Sequence, residues 1–360
     1  MSEPGTDAGA RAGRLAELIA REGLDLLLVS DLVNLRYLTG FTGTNGAALV
    51  GPSERLFFTD FRYIERAEQE VGEGWERPPA ERELTPQLAG RMRGRVGFED
   101  AKMSVRQRGK LGDALGAEVE LVPAGDLVEE LRAVKDEAEV ARVASAAELA
   151  DEVYRWALAR GLRGRLERDV AREVEARIRE LGAEPSFPPI VAAGPNGALP
   201  HAEPGEREVG KGELVVFDMG AQLDGYCSDC TRTFATGEPG EEAREVYELV
   251  RSAQAAALDG VRPGITGREA DAVAREAIAA AGHGERFGHG LGHGVGLEVH
   301  EGPRLALTSS DELRPGSVVT VEPGVYLPGR FGVRIEDLVV VGEETNRNLS
   351  GLGKDLTIVD

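Results

Sequence analysis

Along the first third of the chain, short apolar runs alternate with amphipathic stretches. After a polar, small-residue opening that is expected to fray as far as about residue 12, Leu15, Leu18, Ile19 and Leu24 recur at helical spacing. That spacing predicts a first helix. It runs into LDLLLVS (24–30), a run of buried-strand type, then into YLTGF, GAALVG and RLFFTD, each bounded by Gly, Asn, Pro or Ser and each predicted as strand material. Helical stretches near 61–71 and 104–116 alternate with RVGFED and VELVP. The pattern predicts an α/β domain with a mixed sheet. Around Ala133 to Val140 the sequence turns charged (AVKDEAEV), and no glycine occurs from Asp126 to Arg160. A long helix is expected there, and the boundary is placed so that residues 1–132 and 133–360 form separate domains.

The second segment repeats its own plan. Helices near 137–160 and 168–181 precede strand material at PIVAAG, LVVFDMG and CSDCTRTF; helices near 241–259 and 267–281 precede LEVH, VVTVEPGVY and VRIEDLVVV. A duplication of this kind places a site where the two halves contribute strands to a shared cleft. The length of 360 residues and the 41% hydrophobic content suit two globular domains. With 42 basic against 63 acidic residues, a net charge of −21 and no basic cluster, the chain does not read as a nucleic-acid binder. The apolar runs are strand-sized and the N-terminus lacks a signal-type apolar core, so no membrane partner is expected and the localisation is read as cytoplasmic. Cys227 and Cys230 are the only cysteines. On a strand, residues three apart face opposite sides, which disfavours a disulfide and agrees with a reducing compartment.

The chemistry concentrates on the strands of the duplicated segment. Asp218 closes the apolar run LVVFDMG, and Asp229 follows in GYCSDCTRTF with Gly220 and Gly225 between them, so a hairpin would bring the two carboxylates together. Glu322 follows VVTV, and Glu336 interrupts VRIEDLVVV. Acidic groups in such settings are costly to bury without a metal or a partner. Of five histidines, His289, His293 and His300 fall in GHGLGHGVGLEVHE, and His201 lies shortly before Asp218; His283 has no motif around it and reads as a helix-end residue. The alternating glycines argue against a helix and for close backbone approach. One imidazole with four carboxylates is an oxygen-rich ligand set suited to Mn²⁺ or similar ions, and four negative charges balance two divalent cations.

The order Asp218, Asp229, His293, Glu322, Glu336, in the settings FDMG, SDCTRT, GHGLGHG, VEPGVY and VRIED, resembles the pita-bread metallopeptidases of family M24, in their aminopeptidase P and prolidase branch. NLRYLTGFTGTNGAALV (34–50) and TDFRY (59–63) resemble the creatinase-type N-terminal domain of that branch. The resemblance implies an α+β fold, with a pita-bread catalytic domain of duplicated helix-helix-strand halves behind an α/β creatinase-like domain. It implies that Asp218 chelates one metal, that Asp229 and Glu336 bridge two, and that His293 and Glu322 hold the other. The ions would be two Mn²⁺, with Co²⁺, Fe²⁺ and Zn²⁺ as alternatives.

Glu322 is then expected to shuttle the proton, and His201 and His300 to hold the substrate and its oxyanion. His289, Arg334 and Tyr326 would line the substrate pocket, with Thr231 beside the ligands. The implied activity is release of the N-terminal residue from peptides with proline second. The short segment EPGVYLPGRFGVRIE, with no insertion to cap the pocket, favours this aminopeptidase reading over a dipeptidase, for which Arg334 or Arg330 would clamp the substrate carboxylate. A non-catalytic peptide-binding protein on the same fold is the remaining alternative. The resemblance also implies a homodimer.

Overall fold

Residues 8–79 and 81–359 are described by the computed structural model. The chain divides into two units, Met1–Arg132 and Ala133–Asp360. In the first, α1 (Ala8–Arg21) buries Ala12, Leu15 and Ile19, the face that the helical spacing marks. The helix starts at Ala8, four residues before the expected end of fraying, and residues 1–7 lie outside the described part. β1 (Leu26–Val29) is buried along its whole length. It pairs antiparallel with β2 (Gly46–Val50), which pairs with β3 (Arg55–Thr59); on its other side it runs parallel to β4 (Gly94–Phe98), followed by β5 (Val119–Pro123). This is the mixed sheet the sequence predicts.

YLTGF is not a strand. Tyr37–Thr39 close α2 (Leu32–Thr39), because the Asp31 side chain accepts the Val33 and Asn34 amides at 3.0 Å each and fixes a helix start, and Gly40 at φ 82° ends it. The helices α3 (Ile64–Glu70), α4 (Leu84–Ala89), α5 (Val105–Ala114) and α6 (Leu127–Arg132) complete the unit. Its core is built on Leu26, Leu49, Phe58, Val96 and Leu111.

The second unit is a repeated arrangement of two helices and a sheet. In the first half α7 (Glu137–Ala159) and α8 (Glu167–Glu180) cover β7 (Ile190–Ala193), β8 (Leu214–Met219) and β11 (Cys230–Ala235), an antiparallel sheet in the order β11-β8-β7. Short strands β6 (Glu184–Pro185), β9 (Ala221–Leu223) and β10 (Tyr226–Cys227) form a small sheet beside it. In the second half α9 (Glu241–Gly260) and α10 (Gly267–Ala280) precede β12 (Gly292–Gly294), β13 (Glu301–Leu305), β14 (Val318–Val321), β17 (Asp337–Val340) and β18 (Arg347–Asn348), in the order β13-β12-β14-β17-β18. The hairpin of β15 (Gly324–Leu327) and β16 (Phe331–Arg334) stands apart from that sheet. Each half has its own core, Tyr154, Val174 and Phe217 in one and Val250, Ile278 and Val319 in the other. Among the described residues no helix is long and apolar enough to cross a membrane.

Two expectations change here. LEVH (297–300) is a bent segment, and the strand starts only at Glu301. The Gly296 amide turns back to the Glu298 carbonyl at 3.0 Å, which folds the segment too tightly for strand pairing. VRIEDLVVV is two strands, not one, because β16 pairs with β15 and β17 with β14. Glu336 occupies the break where the chain changes partner.

Asp337, next in sequence, points away into a buried ion-pair network. Arg232 Nη2 meets Asp337 Oδ1 at 2.7 Å with both side chains shut off from solvent, and Lys354 Nζ approaches Asp337 Oδ2 at 2.6 Å. Arg232 also donates to the carbonyls of Leu352 (2.8 Å) and Gly353 (3.1 Å). Burial would raise the Asp337 carboxyl, but Arg232 and Lys354 hold it below its ordinary value. Arg232→Met, which removes the buried cation from Asp337 and leaves it to the partly exposed Lys354, is expected to lower stability by about 3–5 kcal/mol in urea unfolding at pH 7. A carboxyl depressed in the folded state contributes stability above its unfolded pKa of about 3.9 and loses it as pH falls, so the gap between wild type and variant should close in acid.

Candidate active site

The site is assembled from the ends and breaks of strands in the second unit. The β8–β11 register sets Thr231 opposite Asp218, and Asp229 immediately precedes β11. Glu322 leaves the end of β14, its amide held by the Leu291 carbonyl at 2.8 Å. His293 lies at the centre of β12 between two glycines that admit no side chain: a Cβ on Gly292 would lie 2.0 Å from the Thr320 carbonyl oxygen, and one on Gly294 2.1 Å from that of Gly302. Bare backbone is what lets β12 slide between β13 and β14 and carry an imidazole inward. Thr320 Oγ1 then accepts the His293 amide (3.0 Å) and donates to Glu322 Oε1 (3.2 Å).

Ligand atoms of Asp229, His293 and Glu336 all lie within 4.8 Å of one another. His293 Nε2 is 3.3 Å from Glu322 Oε1 and 3.6 Å from Asp229 Oδ2. Its Nδ1 faces the Gly294 carbonyl at 3.0 Å, which assigns the proton to that nitrogen and turns Nε2 to the carboxylates. Glu336 Oε2 accepts from Thr231 Oγ1 at 2.8 Å, and Asp218 Oδ2 accepts from Arg334 Nη2 at 2.6 Å.

Asp218 Oδ1 and Glu336 Oε1 are buried with no hydrogen-bond donor. Burial and the charges of neighbouring carboxylates push Asp229 and Glu336 well above the ordinary range; burial also raises Asp218, against the opposing pull of Arg334. At Glu322 burial is overcome by the His293 hydrogen bond and charge, which bring the carboxyl down to about 2. The pocket thus holds more negative charge than its own cations balance, with orphan oxygens turned inward. That donor set, hard oxygens plus one imidazole, fits divalent metal.

Arg334 ties the surroundings together. It donates to Asp218, to Thr231 Oγ1 (3.0 Å), to the Pro200 carbonyl (3.0 Å) and to the Tyr326 hydroxyl (2.9 Å), and that hydroxyl meets His289 Nε2 at 2.9 Å. Its donors are therefore engaged within the protein. Arg330 is paired with Glu242 on the surface.

His300 is exposed, its ring centroid 4.3 Å from that of His293, and exposed His201 lies close enough for its charge to act on both His289 and His300. The structure brings His289, His293 and His300 around Glu322, with His201 near His289 and His300. His283 stands elsewhere, ahead of a single turn at Gly284–Arg286. Cys227 and Cys230 are buried free thiols.

Sequence reading misses two contributors. Thr320, inside the apolar run VVTV, looks like ordinary strand filling. Arg304, on β13, is exposed, and its charge acts on His300. In GPRLAL it reads as one more surface charge.

Comparison with known proteins agrees in order and extent. The profile of metallopeptidase family M24 matches residues 141–343, and that of the creatinase/prolidase N-terminal domain matches residues 11–134. An uncharacterized peptidase of Bacillus subtilis, YqhT, is 41% identical over 96% of this chain and 99% of its own length. The solved Xaa-Pro dipeptidase from Bacillus anthracis is 38% identical with a TM-score of 0.94, covering 98% of this chain and 99% of that one. The X-Pro aminopeptidase from Thermotoga maritima is 34% identical with a TM-score of 0.88, covering 95% and 100%.

Stripping divalent ions with a chelator is expected to lower Tm, and adding Mn²⁺ back to raise it with concentration. At a hundredfold excess over Kd the gain corresponds to about 2.7 kcal/mol. Because burial and neighbouring carboxylates raise Asp229 and Glu336 well above the ordinary range, ion uptake should release protons and weaken as pH falls. Calorimetric titration in two buffers of different ionisation enthalpy measures that release.

Proposed function

The chain belongs to metallopeptidase family M24, and from that premise we propose that it is a metal-dependent peptidase acting on Xaa-Pro bonds, with the Xaa-Pro dipeptide as preferred substrate. The observation that carries this reading is the convergence of Asp229, His293 and Glu336 within 4.8 Å, beside a Glu322 carboxylate kept ionised. Asp218, Asp229, His293, Glu322 and Glu336 would hold two divalent ions, Mn²⁺ before Co²⁺, Fe²⁺ or Zn²⁺, which when bound supply polarisation of the scissile carbonyl and acidification of water.

The remaining work falls to side chains. Proline nitrogen in the scissile bond carries no hydrogen, so the site cannot grip it as it would a secondary amide. It must instead protonate that nitrogen for departure, and Glu322, half-buried with Oε1 toward His293, is placed to take a proton and pass it on. His300 and His201, both exposed, would donate hydrogen bonds to the carbonyl oxygen as it gains charge. His289 and Tyr326, locked to each other and to Arg334, form a fixed wall for the proline ring.

Dipeptidase and aminopeptidase share these residues and differ in whether the proline carboxylate is free. The aminopeptidase reading rests on the short β15–β16 segment. Two points favour the dipeptide. The solved relative with the higher identity and TM-score bears the dipeptidase name. Within the chain, Arg334 and Arg330 are committed to Asp218 and Glu242, whereas exposed Arg304 is an arginine whose charge acts on His300. We assign Arg304 the carboxylate. By family resemblance we further propose a cytoplasmic homodimer, which light scattering coupled to gel filtration tests.

Mn²⁺-loaded protein is expected to hydrolyse Ala-Pro with higher kcat/KM than Ala-Pro-Ala, to leave Ala-Ala-Ala intact, and to lose activity with chelator. A preference for Ala-Pro-Ala would establish the aminopeptidase instead, and no metal-dependent cleavage of any of the three would return the chain to the peptide-binding reading. Arg304→Ala should raise KM for Ala-Pro by about 10- to 100-fold, the worth of a charge-assisted hydrogen bond, with kcat little changed. Asp229→Ala should abolish activity.

A further inference from the structure

Helix α8 opens with a carboxylate that is fully buried yet makes no ion pair among the described residues. Glu167 is 0% exposed. Its Oε1 accepts the Ala193 amide at 2.8 Å and Asn196 Nδ2 at 3.1 Å; its Oε2 accepts Asn196 Nδ2 at 2.9 Å and the Gly205 amide at 3.3 Å. The helix start adds two backbone bonds to the same stretch, Glu167 amide to the Arg207 carbonyl (3.0 Å) and Arg168 amide to that of Gly205 (3.1 Å). One side chain therefore closes the loop from residue 193 to residue 205 at both of its ends. His201 sits inside that loop, and the residue before it is held from the opposite side by Arg334 on the Pro200 carbonyl.

The second half of the unit does the same with different chemistry. Asp271, on α10 and 0% exposed, accepts the Leu291 amide at 2.9 Å and grips Arg275, which donates to the carbonyls of Phe287 (2.8 Å) and His289 (2.7 Å). In both halves a buried carboxylate on the second helix fastens the backbone that carries a histidine. Burying a carboxylate is expensive, and Glu167 spends its side-chain hydrogen bonds on Ala193, at the end of β7, and on Asn196 and Gly205 in the stretch that follows.

We propose that Glu167 is a positioning residue for the peptidase reaction: by holding both ends of the 193–205 loop it sets where His201 stands relative to the reacting carbonyl. The inference rests on the role given to His201 above. It concerns geometry alone, since none of the five metal-ligand candidates lies on this loop.

Glu167→Gln keeps the shape but presents an NH2 group to donors, so one end of the loop must let go. Asn196→Ala removes two of the four hydrogen bonds from a partly exposed position and serves if Glu167→Gln does not fold. Each is made alone and in a His201→Ala background, and kcat and KM on Ala-Pro, Mn²⁺ affinity by calorimetry and amide exchange at Ala193 and Gly205 are measured. The expected result is a 10- to 100-fold fall in kcat/KM for a displacement of about 1 Å, shrinking to less than about twofold once His201 is absent. Exchange at Ala193 and Gly205 should quicken while Mn²⁺ affinity stays within about twofold of wild type.

Equal losses in both backgrounds, loss of Mn²⁺ affinity, or full activity despite faster exchange would each overturn the proposal. If His201→Ala alone leaves kcat/KM unchanged, the role of His201 falls and this proposal with it. Failure of the proposal alone leaves the His201→Ala defect in place.

Discussion

Mutual repulsion among buried carboxylates is the constraint around which the second unit is built. Asp218, Asp229, Glu322 and Glu336 share one pocket, and the cations that face them among the described residues include Arg334 and, at Glu322, His293 and His289. Without added positive charge, three of the four are pushed toward their neutral forms. Only a rigid surround keeps them together. It is supplied by Arg334, which joins Asp218, Thr231 and Tyr326, and by Thr231, which carries the connection on to Glu336. Dense hydrogen bonding around inward-facing, unsatisfied oxygens is the arrangement expected of a centre that exchanges protons for metal.

Much of this was legible in the sequence because it violates local expectation. An aspartate ending LVVFDMG or a glutamate splitting VRIEDLVVV is conspicuous against the apolar residues around it. Four such carboxylates and one histidine flanked by glycines, in that order along the chain, point to one chemistry. What escaped was decided by contacts that pattern cannot display. YLTGF alternates like a strand, and only the Asp31 cap makes it the end of a helix. LEVH likewise has strand composition, but the Gly296–Glu298 turn folds it. Glu167 in RLERDV and Asp271 in READAV look like solvated helix faces, and their burial depends on loops far along the chain.

The duplication gives the halves equal architecture and unequal tasks. Each covers its own sheet with two helices and its own core. The first contributes Asp218, Asp229 and the His201 loop; the second contributes the imidazole of His293 and both glutamates. Neighbours on extended backbone alternate between faces, which is how Glu336 can face the site while Asp337 anchors the network behind it. Glu336 also falls where the chain changes partner, from β15 beside β16 to β14 beside β17.

The Arg232–Asp337–Lys354 network also joins stretches that lie far apart along the chain. Arg232 reaches the carbonyls of Leu352 and Gly353, the Ala235 amide bonds to the Thr357 carbonyl, and the Val359 amide bonds back to the Ala235 carbonyl. The strand that follows Asp229 and the strand that follows Glu336 are therefore backed by residues 352–359, none of which is a candidate ligand. A protease that trimmed that segment would take Lys354 from Asp337 and uncover the edge of β11, and so would act on a centre it never reached.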